Sequence, residues 1–331
     1  MPLLPGHDSA AIAQAADALA AGELVAFPTE TVYGLGARAD DDRAVSSIFQ
    51  AKGRPANHPL IVHVADAAAA AVFAAELSPL AQRLMEAFWP GPLTVVVPRR
   101  PSLGGAAAGG QATIGLRCPA HPVAQALLKQ AALRGVPGVA APSANRFGRV
   151  SPTTAQHVAD EFGVSLQVLD GGACMVGIES SIVDCTRGHA VLLRPGILTR
   201  ARIEAVAGQP LLDRDSGAPR ASGTLEAHYA PRARVELVDG AALAAALAAL
   251  PSQERVPGLA VYSRTASLPQ EGVDTVMRHA MPQDAALAAK ELFSVLRDLD
   301  ARGAQRIWVE QPPDTPEWEG VRDRLQRAAA A

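Results

Sequence analysis

Lys52 and Arg54 stand two positions apart in the segment Lys52-Gly53-Arg54-Pro55-Ala56-Asn57-His58-Pro59, with His63 on the apolar run that follows. Arginine offers phosphate oxygens a planar fork, and lysine offers a compact ammonium that can follow a transferring group. The chain has only three lysines, at 52, 129 and 290, which argues against a random surface cation beside this arginine. The competing reading is that both cations sit in a helix's last turn and favour its dipole, worth about 0.3 to 1 kcal/mol. For His63 the competing reading is a satisfied, half-buried strand histidine.

Four more segments bring small polar groups to the ends of strands, where binding groups collect in layered α/β folds. Phe27-Pro28-Thr29-Glu30-Thr31-Val32-Tyr33-Gly34-Leu35-Gly36 leaves an apolar run and presents two hydroxyls and a carboxylate. Gly34-Leu35-Gly36-Ala37-Arg38-Ala39 approximates the dinucleotide fingerprint, but that motif needs its first glycine directly after the strand. Six residues intervene here, so a substrate loop and a structural turn remain the two readings. Thr113-Ile114-Gly115-Leu116-Arg117 ends on an arginine able to clamp a carboxylate, against the alternative of a surface ion pair worth ~0 to 1 kcal/mol. Ala140-Ala141-Pro142-Ser143-Ala144-Asn145 continues to Ser151-Pro152-Thr153, hydroxyls and an amide without bulk. Ser151 also suits the cap of a helix beginning at Pro152-Thr153. Gly171-Gly172 leads through Gly177-Ile178-Glu179-Ser180-Ser181 into Ile182-Val183-Asp184. No P-loop, kinase signature, His-Glu-x-x-His or Gly-x-Ser-x-Gly occurs in the sequence, which removes support from nucleophilic and zinc-hydrolase chemistry.

The elements that hold these segments follow from hydrophobic pattern and punctuation. A helix is predicted from Ser9, as N-cap, to Gly22. Strands are predicted at 24–27, 60–64, 93–97, 114–117, 139–141, 166–169, 181–184 and 191–193, and helices at 41–51, 67–76, 79–88, 122–132 and 153–162. Their interleaving predicts an α/β layer structure, and the adjacent late strands make its sheet mixed. Residues 208–234, rich in proline, glycine and charge, read as a linker. Beyond them come strands at 235–238, 259–262, 275–278 and 306–310, an alanine-rich helix, a helix at 284–302 and a closing helix. Ala288, Leu292, Val295 and Leu299 share one face of the helix at 284–302. The expected organisation is thus a larger domain over 1–207, the linker, and a small Rossmann-like α/β domain over 235–331.

At 331 residues, 49% hydrophobic and 19% charged, with mean hydropathy +0.11, the chain has the composition of a folded globular protein. Its apolar stretches fall short of the roughly 20 residues a membrane span needs. No basic-then-apolar leader precedes Asp8, so the expected location is the cytoplasm. Cys118, Cys174 and Cys185 form no C-x-x-C pair and read as core residues. A net charge of -3 argues against broad nucleic-acid binding and confines any RNA contact to a local groove.

Taken together, Phe27–Gly36, Lys52–Val64, Phe88-Trp89-Pro90-Gly91-Pro92-Leu93-Thr94, Pro142-Ser143-Ala144-Asn145 and Gly177–Asp184 resemble the YrdC-like threonylcarbamoyl-AMP synthase family. The match runs from about Ala10 to Ile203, and His228-Tyr229-Ala230-Pro231 resembles the connector of its two-domain members. The resemblance implies a concave, partly electropositive groove on a twisted mixed sheet, where a nucleotidyltransferase joins L-threonine, bicarbonate and ATP into threonylcarbamoyl-AMP with release of pyrophosphate. Lys52, Arg54, Ser143 and Asn145 would face the nucleotide phosphates, with His58, Thr113, Ser151 and Arg194 completing that site. Thr31, His63, Arg117, Ala141 and Ser181 would face threonine, Arg117 taking its carboxylate bidentately. Tyr229 would help a linker lid close over the nucleotide. Magnesium would arrive with ATP, without protein metal ligands. Implied partners are a local tRNA contact and the proteins that transfer threonylcarbamoyl to tRNA, with no membrane. Two departures stand out: Ser222-Gly223-Thr224-Leu225-Glu226-Ala227, where many members carry proline and basic residues, and serine rather than threonine at 181. A non-catalytic double-stranded RNA or tRNA module is the alternative, disfavoured by the net charge. Carbamoyl-transfer maturation proteins that share the domain carry zinc-binding cysteine pairs, which this sequence lacks.

Overall fold

The computed structural model describes residues 3–250, 258–266 and 276–331. They form two compact units, Met1–Phe147 with Ser151–Thr224, and Gly148–Val150 with Leu225–Ala331.

In the first unit the strands are β1 (Leu4–Pro5), β2 (Val25–Phe27), β3 (Gly34–Arg38), β4 (Ile61–His63), β5 (Leu93–Pro98), β6 (Thr113–Arg117), β7 (Val139–Ala140), β8 (Gln167–Asp170), β9 (Ser181–Asp184), β10 (Val191–Arg194) and β11 (Leu212–Asp213). The helices are α1 (Ser9–Ala20), α2 (Asp42–Lys52), α3 (Ala67–Phe73), α4 (Pro79–Phe88), α5 (Pro122–Ala132), α6 (Ala155–Phe162) and α7 (Arg200–Ala207). One mixed sheet runs β1-β8-β2-β3-β7-β4-β6-β5-β9-β10-β11. Its β4–β6, β5–β9 and β10–β11 pairs are parallel, while β2–β3, β3–β7, β4–β7, β5–β6 and β9–β10 are antiparallel.

Alternation along each strand divides the core between two faces. Ala26, Leu35, Val62, Val95, Leu116 and Ala140 pack with buried residues of α2, α3 and α4. Val25, Phe27, Val139 and Ala141 turn the other way, onto α1 and α5. Farther along that second face, among the described residues, no helix contributes to the cluster of Ile61, Val96, Ile182, Val191 and Leu193, against which Ala218 and Ala221 pack. The polar strand residues that follow emerge on this face.

Several local expectations need correction. The cap of α1 is Asp8, whose carboxylate accepts from Ala10 N, rather than Ser9. Thr154 caps α6 by accepting from His157 N; Ser151 does not, because its hydroxyl turns to the carboxylate of buried Glu179. Gly34 and Gly36 belong to a strand, β3, rather than to a turn. A Cβ at Gly36 would lie 2.8 Å from both the Phe27 ring and Val139 Cγ1, so packing demands glycine there. Part of the expected linker is a sheet edge, since β11 pairs with β10. Pattern reading also missed β1 and α7.

The second unit contains β12 (Arg234–Val238), α8 (Gly240–Ala248), β13 (Leu259–Ser263), β14 (Met277–Ala280), α9 (Ala285–Ala301), β15 (Arg306–Glu310) and α10 (Glu319–Ala329). Its sheet is all parallel in the order β12-β15-β13-β14. The expected apolar face of α9, Ala288, Leu292, Val295 and Leu299, is buried. Of the strand expected at 275–278, residue 275 lies outside the described residues. Among the described residues no helix is long and apolar enough to cross a membrane, and all three cysteines are buried thiols.

Candidate active site

Lys52 is the last residue of α2, and Gly53 then leaves the helix in a left-handed conformation, φ 64°, which glycine adopts without strain. The buried Lys52 ammonium donates to the carbonyls of Ser143, at 2.6 Å, and Asn145. Phe147 N returns a bond of 2.9 Å to the Lys52 carbonyl. Lys52 thus lies in the last turn of α2, as the helix-dipole reading expects, and its ammonium also bonds carbonyls of another loop. Burial, and then the Arg54 charge, push its pKa well below the usual lysine value. The Arg54 guanidinium donates to Pro59 O at 3.0 Å and Ser222 Oγ at 3.4 Å, and lies 5.7 Å from the Phe147 ring centre. His58 meets the same ring edge-on at 5.4 Å. Burial and the nearby Arg54 and Arg220 lower the His58 pKa. Lys52, Arg54, His58, Ser143 and Asn145 thus converge on the turn at 143–147.

A second group forms on the same sheet. His63 and Arg117 are register partners on parallel β4 and β6 and so share a face. Arg117 Nη2 lies 2.7 Å from Glu30 Oε1, both side chains buried, which replaces the expected surface pair with a buried one. Arg117 Nε donates to Gly91 O at 3.3 Å, and Glu30 Oε2 accepts from Ala120 N at 3.0 Å. His63 stands edge-on to Phe27 at 6.0 Å, and burial, then Arg117, lower its pKa to about 3. Its imidazole is neutral at ordinary pH. His63 Nδ1 and Ser181 Oγ are buried without hydrogen-bond partners among the described residues, and His63 is buried rather than half-buried. Thr31 Oγ1 is 2.7 Å from Thr29 Oγ1, and Ala141 N donates to Ile61 O at 2.9 Å.

Arg194 joins this face through a register shift. Leu192 faces Val183, but Arg194, two residues on, faces Ile182, so a bulge turns the arginine to the side of Ile182. Its Nε and Nη2 donate to Ser180 O at 3.1 and 2.9 Å, and its Nη1 to Ser222 O at 2.9 Å. Ser180 Oγ lies 2.8 Å from Thr94 Oγ1. Thr113 lines a small pocket with Thr94, Gly115 and Ile182, and Arg220, Ala221 and Ser222 lie on its other side. Gln111 fixes that segment, its Nε2 donating to Arg220 O and its Oε1 accepting from Arg220 N.

Tyr229 belongs to the second unit. It takes a left-handed φ of 62°, uncommon for a bulky residue, and its buried ring stacks on Phe293 at 5.4 Å with the Arg324 guanidinium at the same distance. Pattern reading gave no role to Glu30, Gly91, Thr94, Glu179 or Ser180. The carboxylates and hydroxyls in the quoted motifs were the available signal; their partners are distant in sequence.

Comparison with known proteins supplies the wider frame. The Sua5/YciO/YrdC family profile, described as telomere recombination, matches residues 17–196. The Sua5 C-terminal profile, described as threonylcarbamoyl-AMP synthase, C-terminal domain, matches residues 198–330. A threonylcarbamoyl-AMP synthase of Bacillus subtilis (strain 168) is 38% identical over 96% of this chain and 92% of its own length. One from Schizosaccharomyces pombe is 34% identical over 92% of this chain and 85% of its own. The solved structure of P. abyssi Sua5 complexed with L-threonine is similar with TM-score 0.85 and 36% identity, covering 97% of this chain and 95% of that one.

Proposed function

The chain belongs to the Sua5/YciO/YrdC family, and from that premise we propose that it is an enzyme forming threonylcarbamoyl-AMP and pyrophosphate from L-threonine, bicarbonate and ATP. The observation that carries this reading is the convergence of Lys52 and Arg54 on the turn holding Ser143 and Asn145. Similarity to a protein crystallised with L-threonine supports the amino acid.

In the proposed reaction the threonine amine attacks the bicarbonate carbon, a C–O bond breaks, and the hydroxyl leaves with an amine proton as water, giving a carbamate. A carbamate oxygen then attacks the α-phosphorus, the bond to the β-phosphate oxygen breaks, and pyrophosphate leaves. Bicarbonate, carbamate and triphosphate are all anionic, so the protein's work is to hold them close and balance their charge. Lys52 and Arg54 supply the positive charge in surroundings that exclude water, where each charge acts more strongly than in bulk solvent. Ser143, Asn145, Ser151, Thr113, His58 and Arg194 line the nucleotide side. Thr31, His63, Ala141, Ser181 and Arg117 line the threonine side, with Arg117 receiving the carboxylate. Among the described residues no three His, Cys, Asp or Glu side chains cluster to hold a metal. In this reading magnesium comes with the nucleotide substrate, where it balances phosphate charge. The adenylate then passes to transfer proteins acting on tRNA in the cytoplasm, with any tRNA contact local.

Lys52→Ala and Arg54→Ala are each expected to lower threonine-dependent pyrophosphate release by at least about a hundredfold while the protein still melts cooperatively. Near-normal turnover in both variants would refute this site.

A further inference from the structure

Gln111 holds both backbone groups of a residue 109 positions away: its Oε1 accepts from Arg220 N at 2.8 Å, and its Nε2 donates to Arg220 O at 3.1 Å. A side-chain amide used in this way fixes where the Arg220 side chain starts, and Ala221, the next residue, packs on the sheet. The Arg220 guanidinium donates to Gly109 O at 3.2 Å. Gly109 lies against the segment that follows Arg54, since a Cβ there would come within 2.6 Å of Asn57 O and 3.1 Å of Pro59 N. Two residues beyond Arg220, Ser222 Oγ accepts from Arg54 and Ser222 O accepts from Arg194. Arg54, Arg194 and Arg220 are thereby drawn to one short stretch, residues 220–222. Burial, then the charges of Arg54 and Arg220, hold the His58 imidazole below its ordinary pKa, which sets both cations near it.

Among the described residues no carboxylate pairs with Arg220. Like charges gathered this way repel one another until an anion joins them. An exposed arginine is ordinarily a solvated surface group; the clamp on its backbone and the two arginines beside it set Arg220 apart.

We infer that Arg220 is a further substrate-binding residue, contacting the β- and γ-phosphates of ATP and the pyrophosphate that leaves, and that Gln111 is its positioning residue. The inference rests on the reading that this cleft binds ATP. As the carbamate oxygen bonds to the α-phosphorus, the bond from that phosphorus to the bridging oxygen breaks. The oxygen keeps the electron pair, so negative charge grows on pyrophosphate. Displacement at the α-phosphorus must exclude water, which suits the buried Lys52 and Arg54. The departing phosphates must reach solvent, which suits the exposed Arg220. A guanidinium has five N–H donors, so the bond to Gly109 leaves donors for phosphate oxygens.

The test titrates ATP with magnesium, pyrophosphate with magnesium, and AMP into the full-length protein by calorimetry, and measures steady-state turnover, for Arg220→Ala, Arg220→Lys, Gln111→Leu and Arg54→Ala. Arg220→Ala is expected to weaken ATP and pyrophosphate binding at least about tenfold and to raise the ATP KM in step. AMP affinity and threonine KM should stay within about threefold of the parent, with the melting temperature unchanged. Arg220→Lys keeps the charge without the fork and should recover part of the loss. Gln111→Leu should weaken ATP in the same direction by less. Unchanged ATP and pyrophosphate affinity in Arg220→Ala, while Arg54→Ala weakens both, would overturn this inference alone. An equal loss for AMP or threonine would mark a general disturbance of the cleft and overturn it too. Parent-like ATP affinity in Gln111→Leu would refute the positioning role. If Arg54→Ala also leaves ATP affinity intact, the reading of the nucleotide site fails and this inference falls with it.

Discussion

His63 sits where an imidazole cannot readily accept a proton, enclosed beside the Arg117 guanidinium. In the unfolded chain it titrates near 6.5, and in the folded protein near 3. Between those values the unfolded state binds the extra proton, so stability present above pH 6.5 is lost as pH falls toward 3. The loss approaches about 1.4 kcal/mol per pH unit. Urea unfolding of the parent and of His63→Gln should therefore show the parent losing roughly 2 kcal/mol more than the variant between pH 6.5 and 5. Equal losses would mean the imidazole titrates normally. The residue types at this site were legible in the sequence, because hydroxyls, cations and carboxylates cluster at strand ends. Their pairings were not. Glu30 meets Arg117, and Lys52 meets the carbonyls of Ser143 and Asn145, across long stretches of sequence, and no local pattern encodes those contacts.

At the scale of elements, glycines were the least legible residues. Gly34 and Gly36 read as loop punctuation, yet they lie in β3, opposite Phe27 and Val25, where side chains from neighbouring strands fill the space a Cβ needs. Gly36→Ala should destabilise the fold by ~1 to 3 kcal/mol through overpacking, with both substrate KM values near the parent's. Gly196 differs in what surrounds it. A Cβ there would lie 2.5 Å from Ser181 N and 2.9 Å from Ser180 C, backbone that cannot yield without moving β9. Gly196→Ala should lower stability similarly and also raise the KM for both threonine and ATP. Melting temperatures alongside steady-state kinetics separate the two outcomes. β5 was legible through the apolar run Val95-Val96-Val97, and β9 through Ile182-Val183 between polar residues. The two-residue β1 and β11 are too short to leave a pattern.

For the molecule as a whole, the two sheets stand in separate compact units, and the first extends through Thr224. A fragment of residues 1–224 keeps α7, β11 and the Ala218 and Ala221 contacts, and should melt cooperatively. One ending at Ile203 cuts α7 and uncovers Ile61, Val96, Ile182, Val191 and Leu193. That shorter fragment should bind a hydrophobic dye and lose its sharp transition; two identical melts would contradict this account of the boundary. The central claim, that one cleft brings L-threonine, bicarbonate and ATP together so that a carbamate displaces pyrophosphate, is tested most directly by omission. With ATP and magnesium present, pyrophosphate release and a new adenylate should require both L-threonine and bicarbonate, and should fall at least about tenfold when serine replaces threonine, because the pocket then loses a methyl contact. Pyrophosphate released at the same rate without threonine, or no threonine-containing adenylate in the products, would contradict it.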